Sequence, residues 1–228
     1  MVILTEAVAV HSATGDESMG TQRNWLVGGL FWFAVTVNVV ADTTAERADV
    51  GVVERVQQRA EAVYAGQTRR LASASSVFYK DLLRTGRAAR LRATLADGSA
   101  ITMGENAELA IDEFVYDPEG STEITLNALK GALLFISDKL RGGDDRSVHV
   151  RTPVAILGVR GTEFWVGPID GATGVLVIDG EVVVGSANGM VTLGPGDGTM
   201  IKADGTLSPR KTWGEAKVKR ALDMVAID

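Results

Sequence analysis

The sequence predicts an all-β domain of stacked short strands and hairpins, twisted into a solenoid-like or sandwich-like body and followed by a short C-terminal helix. Three observations predict it. Asp-Gly and Asn-Gly pairs recur between short apolar runs, and such pairs favour the left-handed backbone of tight hairpin turns. The runs between them are short and rich in β-branched residues, as strands are. Glycine is abundant, 26 of 228 residues, as a turn-rich chain requires.

In chain order, the first feature is an apolar run from Trp25 to Ala41, WLVGGLFWFAVTVNVVA, which turns polar at Asp42. It falls short of the roughly 20 residues a spanning helix needs and ends on Val39-Val40-Ala41, a small-residue cleavage pattern. The run therefore reads as an export leader cleaved after Ala41, with an uncleaved membrane anchor as the alternative. Upstream, Glu6, Asp16 and Glu17 outnumber Arg23, whereas a leader should open on positive charge. A start at Met19 restores the expected pattern. The division expected is an N-terminal extension and signal peptide over 1–41, a β domain over 42–208 and a tail over 209–228.

The segment from Ala48 to Gly66, ADVGVVERVQQRAEAVYAG, sets Val52, Val56, Ala60 and Val63 at helical spacing, while Val52, Glu54 and Val56 would equally suit a strand edge; periodicity alone leans helical there. Beyond it, Asp97-Gly98 separates LRATLA from SAITMG, and Asp179-Gly180 separates GVLVI from EVVVG. Asn188-Gly189 and Asp204-Gly205 divide the stretch up to the tail, all four pairs being read as hairpin turns. AELAIDEFV, STEITLNALKGALLFI and SVHVRTPVAILGV have the content and length of further strands. At the end, TWGEAKVKRALDMVAI opens with Thr212 and Glu215 in capping-box spacing and puts Val218, Ala221, Leu222 and Val225 on one face. A helix packed on a sheet edge is expected.

Composition excludes several functions. With 23 Lys and Arg against 29 Asp and Glu, a net charge of −6, no positive field exists to hold phosphate backbones, and nucleic acid is not an expected partner. Without cysteine there is no disulfide, thiolate nucleophile or Cys-ligated zinc. Of the two histidines, His11 precedes the leader and His149 sits between valines without supporting motif. No nucleophile elbow, phosphate-binding glycine loop or paired-histidine metal spacing occurs, and no cofactor is expected. GPGDGTMIK from Gly194 matches one unit of a calcium-binding nonapeptide but reads better as a turn. RGGDDRS, Arg141 to Ser147, reads as a solvated loop.

TPVAILGVRGTEFWV, Thr152 to Val166, sets one arginine in an apolar run. In an unbroken strand Ile156, Gly158, Arg160, Thr162 and Phe164 share a face, which sends Arg160 into the apolar layer. Gly158 and Gly161 offer a bulge that could re-aim it. Two readings are open: a structural clamp gripping carbonyls or a carboxylate such as Glu163, Asp112 or Glu113, or a docking contact for a partner's acidic group. Pro153 lacks an amide donor and marks the strand's entry. Trp165, if exposed, would be an interface anchor; otherwise the C-terminal helix or a neighbouring strand covers it.

Together, the Thr85-Gly86 pair, Asp97 to Ser99, Thr152-Pro153 and the Gly158-Val159-Arg160-Gly161-Thr162 run, in this order across about Val50 to Leu207, resemble the FecR domain family. The resemblance implies an extracytoplasmic all-β domain that contacts other proteins, and it implies that the segment near Val52 is a strand. In the family's namesake regulators this domain meets the signalling domain of a TonB-dependent outer-membrane receptor, while a cytoplasmic N-terminal part controls a sigma factor. Here at most some two dozen residues precede the apolar run, too few for a folded domain. The expectation is a stand-alone exported FecR domain that relays a signal through a protein partner in the envelope. The competing reading is a structural or surface-assembly module.

Overall fold

The computed structural model describes residues 47–117, 122–137 and 146–227. The leader, the start at Met19, His11 and most of the Arg141 to Ser147 loop lie outside them. The described residues form β1 (Asp49–Gln57), β2 (Ala60–Tyr64), β3 (Gln67–Leu71), β4 (Ser76–Phe78), β5 (Leu82–Thr85), β6 (Arg90–Leu95), β7 (Ala100–Met103) and β8 (Glu108–Tyr116). Next come β9 (Thr122–Lys130), β10 (Leu133–Ile136), β11 (Arg146–Arg151), β12 (Ile156–Ile169), β13 (Ala172–Ser186), β14 (Gly189–Leu193), β15 (Asp197–Ile201), β16 (Lys211–Thr212) and the helix α1 (Glu215–Asp223). The class is all-β, as the turn pattern and strand lengths predict.

One mixed sheet holds these strands, and the long β12–β13 hairpin organises it. The first part of β12, Ile156 to Val159, pairs with β11, and from Glu163 the same edge pairs with β10. β11 leads through β9, β8, β5 and β2 to β3; β10 leads through β7, β6 and β1 to β4. β11 and β9 run parallel, whereas the other pairs are antiparallel. The far side of β13 divides likewise, pairing with β14 over Val182–Ser186 and with β15 over Thr173–Leu176. Both arms send side chains into one core, Leu109, Ile124 and Leu157 from one and Leu91, Ile101 and Phe135 from the other, all buried. The sheet is thus curled into a half-barrel around that core.

The helical lean at Ala48 to Gly66 is corrected: the segment forms β1 and β2. The reason lies in two bulges, between Asp49 and Gly51 against β4 and between Val53 and Arg55 against β6. Each inserts one residue, so inward positions fall at Val50, Val53 and Val56 rather than at every second residue. The inward residues are thus three apart as on a helix, but Val52, which opens the helical pattern, is exposed.

Asp97-Gly98 and Asp204-Gly205 lie in turns, and Asn188 lies in the two-residue turn that ends where Gly189 opens β14. Asp179-Gly180 does not: it is corrected to a bulge inside the continuous β13. The reversal that makes the hairpin is Asp170-Gly171, where Ile169 pairs with Ala172. Both turn residues have positive φ, as a two-residue turn of this twist requires.

Asp81, just before β5, is nearly fully buried and ionically clamped. Its carboxylate accepts hydrogen bonds from Arg47 Nη1 at 2.6 Å, Arg69 Nη2 at 2.9 Å and the Phe78 amide at 3.0 Å. The Arg47 guanidinium also stacks over Tyr64 and Phe78, with 4.1 and 4.7 Å to the ring centroids. The clamp ties the loop between β4 and β5 to β3. Replacement by alanine removes the shared acceptor; because both arginines are partly exposed and can turn to water, Asp81→Ala is expected to cost about 2–4 kcal/mol in a denaturant titration.

Candidate protein-interaction site

Before the bulge in β12, Leu157 and Val159 point inward; after it, Thr162 and Phe164 do. The register slips between Arg160 and Glu163, and Gly161 takes φ +57. The inward set changes from odd to even positions there, which leaves Arg160 on the outer face, exposed and in register with Glu181 of β13. The expectation of an interior guanidinium is therefore corrected: the glycine turns Arg160 out to solvent. Asp112 is engaged by Lys80 at 3.1 Å and Arg151 at 3.6 Å. Because surface ion pairs contribute about 0–1 kcal/mol, Arg160→Ala is expected to leave thermal stability almost unchanged.

Thr162 carries the structural role instead. It is fully buried, and its hydroxyl donates to the Arg160 and Glu181 carbonyls, 2.8 Å from each, at the point where the register slips. Its carbonyl accepts the Ser137 amide at 3.0 Å, which ties the bulge to the end of β10. Gly180 completes the bulge from β13. Gly158 lies in register between His149 of β11 and Val183 of β13.

Thr152 and Pro153 form the turn that enters β12. The Thr152 amide donates to Ala155 O at 2.8 Å, and its Oγ1 accepts the Ala155 amide at 3.0 Å. Proline is accommodated because this turn asks for no amide from its position. Trp165 is corrected as a candidate partner contact: it is fully buried, packed with Ala132, Ile169, Leu176, Trp213, Ala221 and Val225 in a second apolar cluster beneath α1. Its ring meets Trp213 edge-on at 6.2 Å.

That cluster also explains why the Thr212–Glu215 capping box does not form. Trp213 is drawn down over Gly198, where an added Cβ would lie 2.3 Å from its indole nitrogen. The helix consequently starts after Gly214, and Thr212 stays in β16 with its hydroxyl donating to Asp197 at 3.3 Å. The helix covers the face of the sheet rather than its edge. Asp170, in the hairpin turn, anchors α1 through Arg220 at 2.9 Å and Lys217 at 3.0 Å.

The Arg220 hydrogen bond, reinforced by Lys217, holds the Asp170 carboxyl below the usual carboxylate range. A depressed folded-state value contributes stability above the unfolded value of about 3.9 and loses it as pH falls through the folded one. Protection factors of the amides across residues 215–223, each taken against the intrinsic rate at the same pH, are thus expected to hold through the ordinary carboxylate range and to fall below it, whereas Asp170→Asn should lower them already at neutral pH.

A surface groove of about 560 Å³ opens where the Thr152-Pro153 turn faces the ends of β9 and β12, with Met224 on its other side. Leu129, 46% exposed, stands in it beside Lys130. Arg90 lines it too, its Nη1 donating to Ala89 O at 2.9 Å and its buried Nε without a partner among the described residues. Glu105, also in the groove, accepts the Ala88 amide at 2.8 Å. An apolar side chain flanked by two cations can take a partner segment in which an apolar residue is accompanied by acidic ones. Sequence reasoning missed this groove because its walls come from residues 90 to 224, brought together by the curl of the sheet.

Elsewhere, Asp197 of the Gly194 to Lys202 segment accepts the Gly194 amide at 3.3 Å in a turn. Among the described residues no group of three His, Asp or Glu stands close enough to hold a metal ion.

The matches to known proteins agree with this architecture. Residues 81–183 match the family described as FecR protein, a span that holds β5 to β12 and most of β13, including the Thr152-Pro153 turn and both glycine bulges. A solved structure of a "putative anti-sigma factor" from Parabacteroides distasonis is similar with a TM-score of 0.52 and 21% identity, over 62% of this chain and 63% of that one. This chain therefore spans less than two thirds of that protein's length. A second structure of the same description and organism matches with a TM-score of 0.49 and 19% identity, over 62% and 64%. No curated protein matches the chain. The family match and the curled all-β architecture point the same way: residues 81–183 of this chain match the FecR family.

Proposed function

We propose that this chain is a regulatory rather than catalytic protein, exported to the cell envelope, where its FecR domain relays a signal by binding a protein partner in the groove between Leu129 and the Thr152-Pro153 turn. The FecR match carries the reading. The description of the similar Parabacteroides distasonis structure as an anti-sigma factor supports a signalling role. The apolar run from Trp25 to Ala41 supports export. The chemistry of the groove specifies the partner's contact segment: one apolar anchor with neighbouring carboxylates for Lys130 and Arg90.

Photo-crosslinking in intact cells tests it, with the crosslinker at Leu129 of the full chain and the products identified by mass spectrometry. One recurrent envelope protein is expected, lost when Lys130 and Arg90 are both changed to glutamate. Recovery of no consistent partner, or of a product insensitive to those charges, overturns the reading. Protease added to spheroplasts should digest the β domain; protection of the domain until lysis overturns export.

A further inference from the structure

We propose that the exposed edge of β14 is a self-association surface, at which a second copy of this chain adds its own β14 antiparallel across a two-fold axis. Among the described residues β14 pairs with β13 alone, so its outer row of amides and carbonyls has no ladder partner. Proteins usually protect such an edge by charge, proline or shortness. The other terminal strands of the sheet are protected: β3 carries Arg69 and Arg70, β4 has three residues, and β16 is the two residues Lys211–Thr212. β14 is Gly-Met-Val-Thr-Leu, and the chain is uncharged from Val182 to Gly196 although 23% of its residues are charged.

The same observation selects the occupant. In a two-fold interface each residue meets its own kind or its symmetry mate, so any charge near the axis repels itself. β3 is excluded from self-pairing by its two arginines, whereas β14 places nothing charged on the axis. The surface beside it is apolar as well: Met190 is 73% exposed and Ile156 51%, in one cross-strand row on either side of Gly185.

Full overlap of both five-residue strands fixes the register. Val191 meets the partner's Val191 at the axis, and Met190 meets the partner's Thr192 on the outer face. The inward residues of each copy continue the inner face of the other, because directly opposed residues of an antiparallel pair share a side.

Sedimentation velocity of the full chain in mild detergent tests the proposal. A dimer is expected. M190K should raise its dissociation constant at least about tenfold, since it replaces apolar packing across the interface with two ammonium groups held diagonally close. M190K/T192E should restore association by placing opposite charges across the axis. The chain has no cysteine, so V191C supplies its sole thiol; opposed Cα atoms about 4.5–5.5 Å apart allow rapid oxidation to a covalent dimer, which T206C should not give. A monomeric wild type overturns the proposal: with β14 amides slow to exchange, another segment of this chain holds the edge, and with fast exchange the edge is left to a different protein. A dimer indifferent to M190K, or a double variant no better than the single one, overturns it too.

Discussion

Gly180→Ala is expected to destabilise the protein by at least about 3 kcal/mol, although position 180 lies in a strand far from the groove. Gly180 has φ +83, and a non-glycine residue in that region costs about 1–2 kcal/mol. The larger effect is steric: an added Cβ would lie 2.5 Å from Gly161 O and 2.9 Å from Thr162 Cα. Backbone atoms cannot rotate away, so relief requires the two bulges to separate, at about 1–3 kcal/mol more. Gly161→Ala is the internal comparison. Its φ is also positive, but nothing lies within 4 Å of the added carbon, so only the conformational cost of about 1–2 kcal/mol should appear. Urea unfolding of the two variants separates the contributions. Equal losses would mean that the bulges are not packed against each other and that the sheet's division into two arms is held elsewhere.

Trp165→Ala is expected to cost about 3–5 kcal/mol, the range for deleting a fully buried indole. The loss should be regional at first. Trp165 is the centre of the second cluster, on which Trp213, Ala221 and Val225 rest, so α1 should open before the main core and show the earliest rise in amide exchange. Trp165→Phe is expected to cost much less. An aromatic ring remains, and the replacement removes an indole N–H that is buried without a hydrogen-bond partner among the described residues, a group costing about 1–3 kcal/mol when unsatisfied. A phenylalanine variant as unstable as the alanine one would show that the indole nitrogen is satisfied in solution.

Much of the strand content was legible because hairpin turns have a local code. Asp97-Gly98 lies at a reversal with Gly98 in the left-handed region, and Asn188 lies in the reversal that Gly189 closes as the first residue of β14. The same code misleads at Asp179-Gly180, which has the left-handed glycine without the reversal. The glycine of each pair takes a positive φ, but only Asp170 does so among the aspartates; whether the chain turns back or bulges depends on the opposing strand, here the slipped β12 around Gly161. The identical pair at Asp170-Gly171 does turn back, with Pro168 two residues before it where Val177 precedes the other pair. At Ala48 to Gly66 the bulges of β1 likewise turned a strand's spacing into a helix's.

The candidate site was less legible. Thr152, Pro153, Gly158, Arg160, Gly161 and Thr162 stand out in the sequence because two glycines and a charge interrupt an apolar run, and the structure brings Arg160, Gly161 and Thr162 to one bulge. Their expected roles exchange: Thr162 is the buried hydrogen-bonding residue, and Arg160 is on the surface. The Asp81 clamp left no sequence signal, since Asp81 lies 34 residues from Arg47 and 12 from Arg69 along the chain.

By itself, the sequence determined the class of this fold, several of its turns, the absence of thiol chemistry and the resemblance of its central run to a family. These rest on local rules, in which a residue's conformational preference or missing functional group acts within a few positions. Only the tertiary structure decided which way Arg160 and Trp165 point, which Asp-Gly pair reverses the chain and where the groove opens. Each of those depends on register between distant strands, and a one-residue slip exchanges inside for outside along the remainder of the strand.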